Sequence, residues 1–174
     1  MKKILFGFGV LALMAFSYTN LNSSREIVNY CDKEASKEKC KKALVPYRYS
    51  SMKVTDITFR GYNQIKEVTI PLFFDSKYRF VFNTEGLPHD IKIEIYDKHS
   101  TERKKKDEPL FSAESSQKQF NFEPEEGFAG TNIYVNYLIP AVETTSDVEK
   151  GCVVLMSGFE NELSFDSGGG DETN

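Results

Sequence analysis

The chain has 174 residues, a formal charge of −4, three Cys, two His and no Trp. That length suits one ordinary domain, and 40% apolar content places it with neither disordered chains nor polytopic membrane proteins. Two histidines exclude a three-imidazole metal site, three cysteines exclude a Cys₄ zinc site, and the acid excess argues against a nucleic-acid partner.

Met1-Lys2-Lys3 is a short cationic start, followed by the apolar run Ile4 to Phe16. As a helix that run rises about 20 Å, short of the ~30 Å hydrocarbon core, which is the pattern of a secretory leader. Ala15-Phe16-Ser17 supplies small residues for cleavage after Ser17, so residues 1–17 are expected to be a signal peptide. Loss of Lys2 and Lys3 takes the charge from −4 to −6. No other stretch is long and apolar enough to span a membrane. The expectation is export to the periplasm or beyond, with no transmembrane span in the mature protein and with disulfides permitted.

Residues 18–50 are expected to form a helical lead-in. Ser23 and Glu26 have the spacing of a capping box, which predicts a helix from near Ser24. Ile27, Val28, Cys31 and Ala35 would share one face of it, whereas Cys40, Ala43 and Leu44 point elsewhere, so a break is expected near Ala35-Ser36. Pro46 ends the helical segment. On one unbroken helix Cys31 and Cys40 would stand ~13.5 Å apart, against the ~7 Å limit for a disulfide. The break would let them pair, which is the first expectation; a bridge from either to Cys152 is the alternative.

From Val54 the period changes to two. Tyr78, Phe80 and Phe82 alternate with Arg79 and Val81, and Ile91, Ile93 and Ile95 alternate with Lys92, Glu94 and Tyr96. Strands are predicted at 54–60, 66–74, 77–83, 90–97, 109–114, 117–122, 131–139 and 152–159. Val153-Val154-Leu155-Met156 is apolar on both faces and reads as a central strand. Many short strands with turns between them predict an all-β fold, a jelly-roll-like antiparallel β-sandwich over 51–163 preceded by the short helical segment. Residues 164–174 read as a disordered acidic tail, since Phe159 to Asn174 carries five acids and no base.

The strand sequences KYRFVFNTEG and DIKIEIYD and the closing GCVVLMSGF resemble, over roughly Cys31 to Phe159, an uncharacterised group of small exported bacterial β-sandwich proteins. More loosely, the chain is similar to the β-sandwich modules appended to secreted bacterial peptidases and glycosidases. The resemblance implies the fold and the export, and brings no active-site residue with it.

The residues assemble no catalytic motif. His89 and His99 flank one strand about 30 Å apart and cannot share a metal or a proton relay. The carboxylates fall mainly in turns or on outward positions such as Glu94, Glu123, Glu125 and Glu126, which reads as solvated charge rather than a glycosidase pair. Asp75, Asp90 and Asp97 sit at strand ends where a structural calcium is conceivable, without the spacing of a calcium loop. Lys98 and Arg103 to Lys106 make a basic-looking loop, yet Asp97, Glu102, Asp107 and Glu108 leave it a net +1, so a mobile solvated loop is expected. Tyr47, Tyr49, Tyr62 and Tyr96 remain as aromatics for a ligand-binding face. The sequence therefore reads as a non-enzymatic exported binding or accessory module with no cofactor and no metal, and with an unknown protein or glycan as partner. A structural, envelope-associated assembly protein is the alternative, and a carboxylate-based hydrolase the third reading.

Overall fold

Val153-Val154-Leu155-Met156 lies in the strand around which the molecule is organised. The computed structural model describes residues 26–73, 76–125, 128, 130–143 and 147–161; the leader, Ser23 of the capping box, Asp75 and the acidic tail lie outside these. Among the described residues there are nine strands and one α-helix: β1 (Ile27–Asn29), α1 (Lys33–Leu44), β2 (Arg48–Thr58), β3 (Gln64–Pro71), β4 (Ser76–Asn83), β5 (Lys92–Tyr96), β6 (Phe111–Glu114), β7 (Gln119–Phe122), β8 (Asn132–Ile139) and β9 (Val148–Asn161). They build two sheets. In the first, β9 is flanked on one edge by β2 and on the other by β4 and then β1, with β7 beyond β4. The second runs β3-β8-β5-β6. Every pairing is antiparallel except β1 with β9.

The alternation read from the sequence decides which side chains meet between the sheets. Ile57, Phe80, Phe82, Val153 and Leu155 of the first sheet pack against Ile93, Ile95, Ile133, Val135 and Tyr137 of the second, all buried. The intervening residues Val81, Val154 and Met156 face the other way and are buried as well, because α1 covers them with Cys40 and Leu44. β4 and β9 are thus apolar on both faces, and their continuous apolar runs have a physical cause.

Each of the eight predicted strands is present, with shifted ends. β2 begins at Arg48 rather than 54, because residues 48–53 pair with β9 along an exposed edge that needs no apolar alternation. β7 begins at Gln119 rather than 117. The chain first makes a 3₁₀ turn at Ser115–Gln117, and Lys118 then adopts a positive φ of 62°. That turn aims the Lys118 carbonyl at Thr84, which donates to it from its amide at 2.8 Å and its hydroxyl at 3.1 Å.

The N-terminal segment departs from expectation. Residues 27–29 form a strand rather than helix, and α1 starts at Lys33 with Asp32 as its cap; Asp32 Oδ1 accepts from the Ala35 amide at 3.0 Å. An Asp at the cap satisfies an amide that would otherwise lack a partner, which a box nine residues upstream cannot do for this helix. Nor does α1 break: Ser36, Cys40 and Leu44, four residues apart, form one buried stripe. The change of face read from the sequence arises because residues 27–31 are not helical at all.

This geometry also corrects the disulfide. Cys31 lies just past β1, alongside β9, and bonds Cys152 with Cα atoms 5.2 Å apart. Cys40 is free and fully buried, its Sγ against the carbonyls of Val81 and Val154. Burial pushes its thiol up to about 11, so it behaves as a small apolar side chain and not as a nucleophile. Gly158 completes the joint between helix and sheet: a Cβ there would stand 2.7 Å from the Arg48 carbonyl and 2.8 Å from Leu44.

The bridge closes a loop of 121 residues, so it removes much conformational freedom from the unfolded chain. Paired Cys31→Ser and Cys152→Ser substitutions should destabilise the protein by about 3–5 kcal/mol. Thermal melts should show a midpoint lower by roughly 10 °C, matched by reductant on the wild type. A melt unaffected by either treatment would contradict a stabilising role for the bridge.

Candidate functional site

With α1 over the first sheet, the outer face of the second sheet is the one left to polar side chains. Register brings Glu67 of β3, Asn136 of β8, Glu94 of β5 and Ser112 of β6 into one row across it. The 14-residue segment from Asp97 to Leu110 folds back over this row as a strap. Its turns are set by the bond from the Glu102 amide to the His99 carbonyl (2.9 Å) and by reciprocal bonds between Lys104 and Asp107 (3.0 Å each). The Leu110 amide then returns to the Ile95 carbonyl at 2.7 Å.

Arg103 anchors the strap. Its guanidinium pairs with Glu67 Oε2 and lies 3.9 Å from the centre of the Tyr96 ring. With its amide turned to satisfy both neighbours, Asn136 donates to Glu67 Oε2 at 2.8 Å and accepts from Arg103 Nη2 and Nη1 at 3.0 and 3.1 Å. The other Glu67 oxygen accepts from the Ser100 amide (3.2 Å) and hydroxyl (3.0 Å) and faces His99 Nε2 at 3.1 Å. The His99 ring meets Tyr134 edge-on. Beside this group, Glu94 pairs with Lys92 Nζ at 2.7 Å and accepts from the Tyr96 hydroxyl at 2.8 Å. Partial burial pushes the Glu94 carboxyl up, but the bonds and charges of Lys92, Tyr96 and Arg103 outweigh it and hold it below the usual carboxylate range. Partial burial and the Glu94 carboxylate together push the Tyr96 hydroxyl up.

A glycosidase acid must carry a proton, whereas Lys92, Tyr96 and Arg103 favour the charged form of Glu94. His99 does accept from the Thr101 hydroxyl at 2.8 Å, giving a hydroxyl–imidazole–carboxylate sequence through Glu67. The same His99 nitrogen also takes the Thr101 amide at 3.3 Å, and both contacts span two residues of one turn. They close the turn. Among the described residues no three His, Cys, Asp or Glu side chains gather as a metal site.

The aromatics named from sequence are not brought onto one platform. Tyr47 lies at the end of α1, its hydroxyl donating to Glu123 (3.0 Å) and its ring beneath Arg79 (4.4 Å). Tyr49 is exposed on β2 opposite Gly158 on the helix side of the first sheet. Tyr62 is exposed in the β2–β3 turn, accepting from Arg60 at 3.2 Å. Tyr96 lies on the opposite outer face, with one ring face taken by Arg103. His89, before β5 while the strap follows it, pairs with Glu149 at 2.5 Å, and Asp90 faces Lys118 and Ser115. The basic loop was expected to be mobile and solvated; most of its residues are exposed, but Arg103 ties it to Glu67, Asn136 and Tyr96, and Lys98 pairs with Asp107 within it. An arginine ahead of three lysines was the available signal, since only Arg can pair, accept stacking and bridge two acceptors at once.

Among the described residues the fold and this face define a two-sheet, mostly β protein with one α-helix and one disulfide. No protein-family model and no curated protein matches the chain. Among solved structures it is similar to a periplasmic inhibitor of g-type lysozyme from Aeromonas hydrophila, PliG. The identity is 9% and the TM-score 0.39, over 66% of this chain and 89% of the inhibitor, a likeness from which no function is transferred. Among the described residues no helix is long and apolar enough to cross a membrane.

The side chains of Arg103 and Glu67 are only 12% and 14% exposed, so their pair is not the weak surface kind. Arg103→Ala should cost about 2–3 kcal/mol, because it strands a half-desolvated carboxylate. Lys105→Ala should be near neutral, and urea unfolding of the two variants separates these outcomes. Glu94 has a folded pKa below its unfolded one, so its contribution is present above the unfolded value and is lost as pH falls through the folded one. The stability gap between wild type and Glu94→Gln should therefore shrink between pH 6 and pH 3; a constant gap would contradict the ion pair.

Proposed function

We propose that this is an exported, non-enzymatic binding module of jelly-roll type whose recognition surface is the strapped outer face of the second sheet. The strand orders β2-β9-β4-β7 and β3-β8-β5-β6, with most connections crossing between sheets, support the jelly-roll reading. A disulfide supports export, as does the expected leader ending at Ser17.

One observation carries the functional reading: Arg103 locks a loop onto a rigid sheet through Glu67, Asn136 and Tyr96. A loop fixed in advance loses little entropy when a partner docks, and loops held by a rigid scaffold are where binding residues concentrate. A protein partner fits better than a glycan, since a sugar needs a free ring to stack on and Arg103 already occupies the face of Tyr96. Leu110, Ile65 and Lys92, all accessible around the strap, supply a mixed apolar and charged rim suited to a protein surface.

Photo-crosslinking residues placed at Ser112 and Lys105, with a control at Lys37 on α1, test this in envelope and secreted fractions of the native host. The expected result is a discrete protein adduct from Ser112 and Lys105, absent from Lys37 and reduced by Arg103→Ala. Adducts only from the helix control, or turnover of a glycoside or peptide that Glu94→Gln abolishes, would overturn the proposal.

A further inference from the structure

The cysteines pair out of chain order. Cys31 bonds Cys152, 121 residues away, while Cys40, only nine residues from Cys31 (40 − 31 = 9), keeps a free thiol. In an unfolded chain the nearer partner is met first. The chance of closing a loop falls as the three-halves power of its length, so thiols 9 residues apart meet about fiftyfold more often than thiols 121 apart. The order of synthesis acts in the same direction, since Cys31 and Cys40 are both made long before Cys152.

A bridge between the two near cysteines is incompatible with the fold. Asp32 caps α1, and the steps from Lys33 to Cys40 rise about 10 Å, beyond the ~7 Å that a disulfide spans between Cα atoms. Cys31 stands before that cap, beside β9. A Cys31–Cys40 bond therefore keeps the first turns of α1 from forming. Val81, Val154 and Met156, buried in the native state beneath Cys40 and Leu44, are then left open to water. The native bridge requires β1 to lie along β9, with Asn29 opposite Lys150 and the Tyr30 amide on the Lys150 carbonyl at 2.9 Å; that pairing brings Cys31 to Cys152. With α1 seated, Cys40 is 0% exposed and its thiol is held protonated, so it no longer competes for Cys31.

We propose that the chain passes through a Cys31–Cys40 disulfide on its way to the native Cys31–Cys152 bridge, and that it is a substrate of a thiol–disulfide isomerase. In the first stage a disulfide-carrying oxidant takes two electrons and two protons from the thiols of Cys31 and Cys40. The oxidant ends as two thiols while the Sγ–Sγ bond forms. In the second stage a thiolate of the isomerase attacks Cys31 Sγ, the bond to Cys40 breaks, and Cys40 leaves as a thiolate that takes up a proton. The Cys152 thiol gives up its proton and attacks Cys31 Sγ in the mixed disulfide, forming the native bond and returning the isomerase thiolate. This exchange oxidises and reduces nothing overall. Without the isomerase the attacking thiolate is Cys152 itself, held at low effective concentration by 121 residues of intervening chain. The proposal rests on the reading of the chain as exported only for where such an isomerase is met.

Refolding of the reduced, urea-unfolded full chain in a glutathione redox buffer, quenched by alkylation and read by peptide mass mapping, is the test. Lys33 lies between the two near cysteines, so trypsin separates them and each linkage has its own mass. The Cys31–Cys40 linkage is expected first, roughly tenfold or more over Cys31–Cys152, and added protein disulfide isomerase should speed its conversion to the native linkage by about tenfold. Cys40→Ala should form the native bridge directly, with little gain from the isomerase. Cys152→Ala should accumulate the Cys31–Cys40 linkage, a readout that does not require the variant to fold. Early dominance of any other linkage, or a Cys40→Ala chain that reaches the native bridge no sooner than wild type, would overturn the intermediate. Equal conversion with and without the isomerase would overturn the enzyme's part. No cell fraction enters the experiment, so its failure is distinct from a failure of the export reading.

Discussion

The two-faced burial of β9 is the constraint on which the rest of the structure depends. Val153 and Leu155 belong to the core between the sheets, while Val154 and Met156 belong to the contact with α1. β9 pairs with β1, β2 and β4, and it carries the cysteine that closes the disulfide. A strand buried on both faces cannot sit at an edge, so it must be flanked, and both its faces must be covered. The helix that covers the outer face cannot leave the sheet without exposing Leu44 and Cys40, each buried at a gain of about 1.5–3 kcal/mol for a side chain of Leu size. The position of α1, the fixing of the N-terminal segment by Cys31 and the burial of Cys40 all follow from that demand.

The strands were legible because alternation is a local property. Phe80 and Phe82 or Ile93 and Ile95 announce a buried face without reference to any partner, and the apolar quartet of β9 announces two. What escaped the sequence depends on partners distant along the chain. β1 is three residues long and exists as a strand because Lys150 and its neighbours offer it an edge. Its own pattern, Ile27-Val28 followed by polar residues, fits a helix equally well. The cysteine pairing was undecided for the same reason: spacing bears on Cys31 and Cys40, while the nearness of Cys31 to Cys152 is set by the β1–β9 pairing.

The strap shows a further limit, that of net charge as a guide to order. A loop with five cations and four acids averages to almost nothing and so looks solvated. The structure does not average it. One cation, Arg103, finds a carboxylate on β3, an amide on β8 and a ring on β5, three elements that only the sheet register aligns. The lysines that follow lack the planar fork needed to hold all three partners.

The two outer faces are covered by different physics, and this bears on where function can reside. Over the first sheet the cover is apolar and continuous with the core, so removing it would expose buried side chains and weaken the fold. Over the second the cover is a polar strap whose partners are charges and hydrogen bonds. Water or a partner's polar groups could satisfy those same partners, so exchanging them costs far less than uncovering Leu44 or Val154. A molecule that must keep its fold while meeting others can spend the second face and not the first. The end of α1 shows the same division: Leu44 and Tyr47 turn inward to hold the joint, while Val45 and Tyr49 face solvent.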